Sequence, residues 1–153
     1  MNEVFHGRCQ CGELSYKVVG QSLTLFACHC TDCQRQSSSA FGMALWLKVS
    51  SLEIVSGQVK TWTRVTPSGQ RMHCDFCPTC GTRVFHRRAG QEEFVSIKPG
   101  TLDNTRWLRP VAHIWTASSQ PWLNFDEEDL LLQQNPSTFD ALFEIWKQRR
   151  QAT

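Results

Sequence analysis

The sequence predicts a mainly β fold, built from many short strands and closed by one C-terminal helix. The first strand signal lies at Leu14, Tyr16 and Val18, which alternate with other positions until Gly20 ends the run. Similar runs recur along the chain, and Ser, Gly and Pro pairs typical of turns separate them. The further runs are residues 23–27, 40–49, 52–55, 59–65, 70–74, 83–86, 94–98 and 111–115. Such spacing is typical of a β-sandwich or of a tent-like set of sheets.

The clearest helical spacing lies near the C-terminus. Phe139, Leu142, Phe143 and Trp146 recur at i, i+3, i+4 and i+7, which places them on one face of a helix. Ser137 precedes them at a position suited to an N-cap. We therefore expect an amphipathic helix whose apolar stripe packs on the sheets.

Length and composition indicate one globular domain. The 153 residues are predicted to form a single domain with a core at residues 4–125 and a helix at about 137–150. The stretch between Asn124 and Asn135, which contains the acidic run at residues 126–129 and then residues 130–132, is expected to be a surface loop or a short helical turn. A net charge of +2 provides no dense basic patch, so binding to nucleic acid is not indicated. With neither a leader nor a membrane span in the sequence, we expect a cytoplasmic protein.

The eight cysteines are grouped in a way that favours metal over disulfides. Seven of the eight fall into three tight clusters, at residues 9–11, 28–33 and 77–80. Without an export signal, a reducing compartment disfavours disulfides and favours thiolate ligation of a metal ion. The sequence therefore predicts metal sites.

Two of the clusters each supply half of a tetrahedral site. Cys9 and Cys11 form a Cys-x-Cys-Gly turn, and Cys77 and Cys80 form a Cys-x-x-Cys-Gly turn. Four thiolates around one ion leave no open position, so we expect a structural zinc that joins the start of the chain to its middle. Iron in a rubredoxin-like arrangement shares this ligand set. Zinc is favoured because no redox partner domain or cofactor motif accompanies the cysteines.

The remaining cluster supplies three ligands and lacks a fourth. Cys28, Cys30 and Cys33 would leave one position of a second zinc open, as a catalytic zinc requires. The soft sulfur environment suits a thiolate ligand from a small molecule. Two residues could instead close the site from within the chain, namely His29, between two of the ligands, and Cys74, the one unclustered cysteine.

The three motifs, in this order, resemble the glutathione-dependent formaldehyde-activating enzyme family, which also includes centromere protein V. The resemblance spans residues 7–122 and rests on the segments GRCQCG, CHCTDCQR and FCPTCGT. It implies a β-tent fold with two zincs, the second of which is open to a thiol cofactor. The implied ligands are Cys9, Cys11, Cys77 and Cys80 for the structural zinc and Cys28, Cys30 and Cys33 for the second. The implied reaction adds glutathione to formaldehyde, giving S-hydroxymethylglutathione, and is a carbon–sulfur lyase reaction run towards bond formation.

Three further residues are candidates for substrate binding or proton transfer beside the second zinc. Arg35 could pair with a carboxylate of a thiol cofactor, and His29 or His113 could move a proton, but no catalytic residue is assigned. The expected partners are a small-molecule thiol and an aldehyde.

The alternative function is a non-catalytic module in which two structural zincs support a surface for a protein partner. That surface would be the aromatic segment formed by Trp107, Trp115, Trp122 and Phe125. A nucleic-acid or cytoskeletal role like that suggested for centromere protein V is disfavoured, since the chain has no basic tail.

Overall fold

The computed structural model describes residues 3–152, and it confirms a mainly β fold of short antiparallel sheets with a C-terminal helix. The strands are β1 (Glu3–Arg8), β2 (Ser15–Gly20), β3 (Thr24–Cys28), β4 (Gly42–Lys48), β5 (Leu52–Ser56), β6 (Lys60–Val65), β7 (Arg71–Phe76), β8 (Arg83–Arg88), β9 (Phe94–Ile97), β10 (Ala112–Ile114) and β11 (Leu130–Leu131). The α-helices are α1 (Thr31–Ser37) and α2 (Asp140–Gln151). Short 3₁₀ turns lie at Val49–Ser51, Pro99–Thr101 and Thr116–Ser118. No helix within residues 3–152 is long and apolar enough to cross a membrane.

The chain divides into two compact units. Unit 1 contains the residues up to 22 and residues 46–107, and unit 2 contains residues 23–45 and those from 108 on. These units do not test the prediction that residues 1–153 form a single domain.

Unit 1 is built from two antiparallel arrangements of strands. One is a sheet in the order β1-β2-β5, and the other runs β9-β8-β7-β6. Tyr16 and Val18 alternate inward on β2 and are almost completely buried, as the sequence pattern predicts. The buried hydroxyl of Tyr16 lies 2.7 Å from the Thr101 hydroxyl, which satisfies its hydrogen bonding.

Unit 2 combines parallel strands with the C-terminal helix. Strand β10 pairs in parallel with both β3 and β11. Helix α2 packs on β3 and buries Leu142 and Trp146, while Phe139 packs against Phe26 with ring centroids 5.4 Å apart. Thr24, fully buried on β3, donates from its hydroxyl to the Leu142 carbonyl over 3.3 Å.

Four parts of the fold differ from the sequence prediction. Strand β1 and helix α1 were not predicted; α1 buries none of its residues, so it carries no apolar period. The predicted Ser137 cap is wrong, because α2 begins after Phe139 and has no side-chain hydrogen bond at its N-cap. The acidic run is only partly exposed, because the Asp129 side chain is 7% exposed and the residues that follow it form β11.

Candidate metal centres

The first candidate centre lies in unit 1 and brings together four cysteine sulfurs. The Sγ atoms of Cys9, Cys11, Cys77 and Cys80 all lie within 4.8 Å of one another. The Cys9 and Cys11 sulfurs are 3.4 Å apart, and those of Cys11 and Cys77 are 3.8 Å apart. Ligands about 2.3 Å from a tetrahedral zinc would be separated by about 3.8 Å. The four sulfurs therefore fit one tetrahedral metal ion.

Tight turns bring each pair of these sulfurs together. Cys77 follows β7, and its turn closes through hydrogen bonds from the Gly81 amide to the Cys77 carbonyl (2.8 Å) and from the Cys77 amide to the Thr82 carbonyl (2.9 Å). Gly81 has a φ of +76°, and Gly12, after the other pair, has a φ of +83°. This left-handed conformation favours glycine, which explains the glycine at the end of each motif.

The pKa values of two thiols in this centre are shifted in opposite directions. The Thr82 hydroxyl, 3.1 Å from the Cys80 sulfur, is the main cause that lowers the Cys80 pKa to about 5. The Glu13 amide lowers the Cys11 pKa, but the neighbouring Cys9 sulfur and burial outweigh it and raise that pKa to about 12. A bound divalent cation would favour the thiolate form of both sulfurs.

The second candidate centre lies in unit 2 and contains three sulfurs. The Sγ atoms of Cys28, Cys30 and Cys33 lie within 4.8 Å of one another. Cys28 ends β3, and Cys30 is the N-cap of α1, where its sulfur accepts a hydrogen bond from the Cys33 amide over 3.3 Å. Hydrogen bonds from the Cys28 and Cys33 thiols lower the Cys30 pKa to about 2. The group can therefore hold a metal through three ligands.

His29 points into a buried polar chain and does not belong to this sulfur group. Its Nε2 lies 2.8 Å from Nδ1 of His113, and Nε2 of His113 lies 3.4 Å from Asp129. Arg149 approaches the same carboxylate at 3.6 Å. Burial lowers the pKa of His29 to about 4 and, against the opposing charge of Asp129, also lowers the pKa of His113. If Nε2 of His113 donates to Asp129, then Nδ1 of His113 accepts a hydrogen bond from Nε2 of His29. The buried Nδ1 of His29 has no hydrogen-bond partner among the described residues.

Hydrogen bonds also fix the backbone between these ligands. The His29 carbonyl accepts from the Gln34 amide group at 2.8 Å and from the Ser118 hydroxyl at 2.9 Å. Gln120 in turn donates to the Gln34 side-chain oxygen over 2.9 Å. No local pattern in the sequence predicts this network, because residues 118–120 lie more than 80 positions from α1.

The structure separates the other candidate residues by environment. Arg35 lies on α1 with its side chain 77% exposed, and its nearest carboxylate, that of Asp32, is 3.9 Å away. Cys74, fully buried on β7, belongs to neither sulfur group within residues 3–152. Its sulfur lies 3.6 Å from the Met72 carbonyl. The eight cysteines, all inside that range, form no disulfide.

The aromatic segment does not form a common exposed surface. Trp107 stacks on Phe5 with centroids 4.9 Å apart, and Trp115 donates from its indole nitrogen to the Asn135 side chain. Phe125 packs against the rings of His29 and His113. Trp122, by contrast, is 67% exposed.

Comparison with known proteins identifies a matching family and a solved structure with a similar fold. A family model described as glutathione-dependent formaldehyde-activating enzyme matches residues 4–118. No curated protein matches the chain. Among solved structures, a crystal structure of a Rhodobacter sphaeroides protein is 23% identical with a TM-score of 0.52, covering 69% of this chain and 91% of that one. At this identity the likeness concerns the fold alone.

Proposed function

Because the chain belongs to the glutathione-dependent formaldehyde-activating enzyme family, we propose that it is a zinc-dependent enzyme of the carbon–sulfur lyase type. Its substrate would be the adduct of a thiol and an aldehyde, with glutathione and formaldehyde as the first pair to test. Family membership supports a glutathione-dependent, aldehyde-related function. The difference between the two sulfur groups, four sulfurs in one and three in the other, carries the assignment of roles.

In this proposal the four-sulfur group is structural and the three-sulfur group is catalytic. Cys9, Cys11, Cys77 and Cys80 would hold a zinc with no free position. Cys28, Cys30 and Cys33 would hold a zinc that keeps one position for an external ligand. When bound there, zinc would favour the thiolate form of an entering thiol and fix the position of its sulfur.

The reaction balances without an oxidant or a reductant. The sulfur of the thiol forms a bond to the carbonyl carbon of the aldehyde while the carbon–oxygen π bond breaks. The thiol proton is lost and the carbonyl oxygen gains one, so thiol plus aldehyde gives the hydroxyalkyl thioether. Cleavage of the adduct is the same step in reverse.

The residues around the three-sulfur group would hold its geometry. Gln34 and Ser118 donate to the His29 carbonyl, which fixes the backbone between two proposed ligands. His113 binds the His29 ring and so keeps the imidazole away from the sulfurs. We assign Arg35 to a carboxylate of the thiol, since its guanidinium is exposed on the helix that carries Cys33. Cysteines that form no disulfide are typical of a reducing compartment, which supports a cytoplasmic location.

Isotope-exchange NMR on labelled formaldehyde with glutathione tests the proposal. The unaltered, zinc-loaded protein, Cys30→Ser and the control Ser39→Ala are compared with the spontaneous rate. Ser39 is exposed and follows α1, so its hydroxyl is expected to be dispensable. Metal content and circular dichroism are recorded for each protein.

The expected result is accelerated exchange with the unaltered protein and with Ser39→Ala, and only the spontaneous rate with a folded Cys30→Ser. No acceleration by the unaltered protein would refute the reaction with this substrate pair. Acceleration that survives in Cys30→Ser would refute the role of the three-sulfur group.

A further inference from the structure

A second feature, lying wholly within unit 1, has no role in the proposed reaction. Pairing between four neighbouring strands places one row of side chains across β6, β7, β8 and β9. Trp62 is paired with Cys74, Cys74 with His86, and His86 with Ser96. Directly paired residues point to the same face of a sheet. These four side chains therefore share a face, with an exposed indole at one end and a buried thiol inside the row.

Three cationic side chains surround this row. Arg83 lies 3.1 Å from Nε2 of His86 and 5.8 Å from the centre of the Trp62 ring. Arg64 lies two residues beyond Trp62 on β6, so the alternation of β structure places it on the same side. Lys98 follows the end of β9, two residues beyond Ser96, and the charges of both residues act on His86. We call the row and these three residues the cationic face.

The polar groups inside the cationic face are suited to an anion. The Arg83 guanidinium can only donate, so Nε2 of His86 accepts, and the imidazole is neutral with its proton on Nδ1. The Ser96 Oγ is buried and has no hydrogen-bond partner among residues 3–152. Burial together with the charges of Lys98, Arg83 and Arg64 lowers the pKa of His86 to about 2, which agrees with a strongly positive surrounding. A buried hydroxyl without a partner is costly unless a ligand supplies one.

The buried carboxylate of Asp75 lies on the other side of the sheet from this row. Asp75 follows Cys74 on β7, so its side chain points to the opposite side of the sheet. There it accepts from Arg87 at 2.7 and 2.9 Å and from Thr61 at 2.6 Å. The positive charge of the cationic face is therefore arranged separately from this ion pair.

We propose that the cationic face binds an oxyanion group, a carboxylate or a phosphate, of a small molecule. A guanidinium presents paired N–H donors that match a planar carboxylate or a phosphate, and an ammonium adds a point charge. The exposed Trp62 ring offers an apolar contact for the remainder of the ligand. The inference requires neither a metal nor a reactive thiol, so it stands or falls separately from the proposed reaction.

Calorimetric titration with two probes tests this site. S-methylglutathione carries carboxylates but no free thiol, and inorganic phosphate carries the alternative oxyanion. Each is titrated into the zinc-loaded protein and into Lys98→Gln, Arg64→Gln and Ser96→Ala. The matched control is Arg71→Gln, which removes the same charge as Arg64→Gln from an exposed position on the opposite side of β7. Circular dichroism verifies that each variant is folded.

We expect at least one probe to bind, and the stronger probe identifies the oxyanion. Its affinity should fall about tenfold in each cation variant, fall in Ser96→Ala, remain unchanged in Arg71→Gln and weaken with added salt. Absence of binding by both probes would overturn the inference. Equal affinity for the unaltered protein and the folded cation variants would also overturn it.

Discussion

Replacing Cys77 with serine tests whether a bound metal ion stabilises the fold of unit 1. Cys77 is 1% exposed, and its sulfur is 3.8 Å from that of Cys11. The control is Cys74→Ser, three positions earlier, where the thiol is also buried but belongs to neither sulfur group. Both substitutions bury a hydroxyl in place of a thiol, at a cost of about 1–3 kcal/mol when its hydrogen bonding is incomplete. The difference between them therefore isolates the contribution of the metal ligand.

The size of that difference follows from the number of ligands. Structural zinc supplies about 10–16 kcal/mol of apparent binding free energy in small zinc-folded peptides. If four ligands share this equally, one sulfur contributes about 3 kcal/mol. For a chain of this length, each kcal/mol shifts Tm by about 2–4 °C. We therefore expect Cys77→Ser to melt about 6–12 °C below Cys74→Ser.

The assay is thermal unfolding followed by circular dichroism, with metal content measured on the same samples. We expect about two zinc ions per chain in Cys74→Ser and about one in Cys77→Ser. Equal melting temperatures together with equal metal content would refute the structural role of the four-sulfur group. A loss of metal from Cys74→Ser would instead identify Cys74 as a ligand.

Two further predictions concern stability. Leu142→Ala, at a fully buried position of α2, should lower the free energy of unfolding by about 2–5 kcal/mol. The control Leu131→Ala, at a position that is 46% exposed, should change it little. Equal effects of the two substitutions in urea denaturation would contradict this packing. Burial and the charge of Lys98 hold the pKa of His86 near 2, while an unfolded histidine titrates near 6.5. The unfolded state therefore binds the proton first, and stability should fall below about pH 6.5 by up to about 1.4 kcal/mol per pH unit. His86→Asn should flatten this profile of Tm against pH, and parallel profiles would contradict the argument.

Much of the fold was predictable from short-range patterns. The alternation at Leu14, Tyr16 and Val18 correctly predicted β2, and the helical spacing of Leu142 and Trp146 correctly predicted the buried face of α2. Helix α1 was not predicted because it is short and has no apolar period. Its start is capped by the Cys30 sulfur, which accepts a hydrogen bond from the Cys33 amide. The Ser137 cap failed because the helix begins three residues later.

The sequence by itself determined which sulfurs belong together in each half-site. Tight spacing forces Cys28, Cys30 and Cys33 into one group, and the same holds within the Cys-x-Cys and Cys-x-x-Cys pairs. Local geometry limits such neighbours to a few ångströms, whatever the rest of the chain does.

Only the tertiary structure decided what surrounds these groups. His113 reaches His29 because β10 pairs in parallel with β3, which sets His113 beside Ala27. The cationic face likewise exists only in the observed register of β6 to β9, which aligns Cys74 with His86. A shift of one residue would turn each of these side chains to the opposite face of its sheet. Strands β3 and β10 lie more than 80 positions apart, so no local pattern in the sequence specifies their register. In the consecutive hairpins from β6 to β9, the loops and the packing of the buried face set the register together.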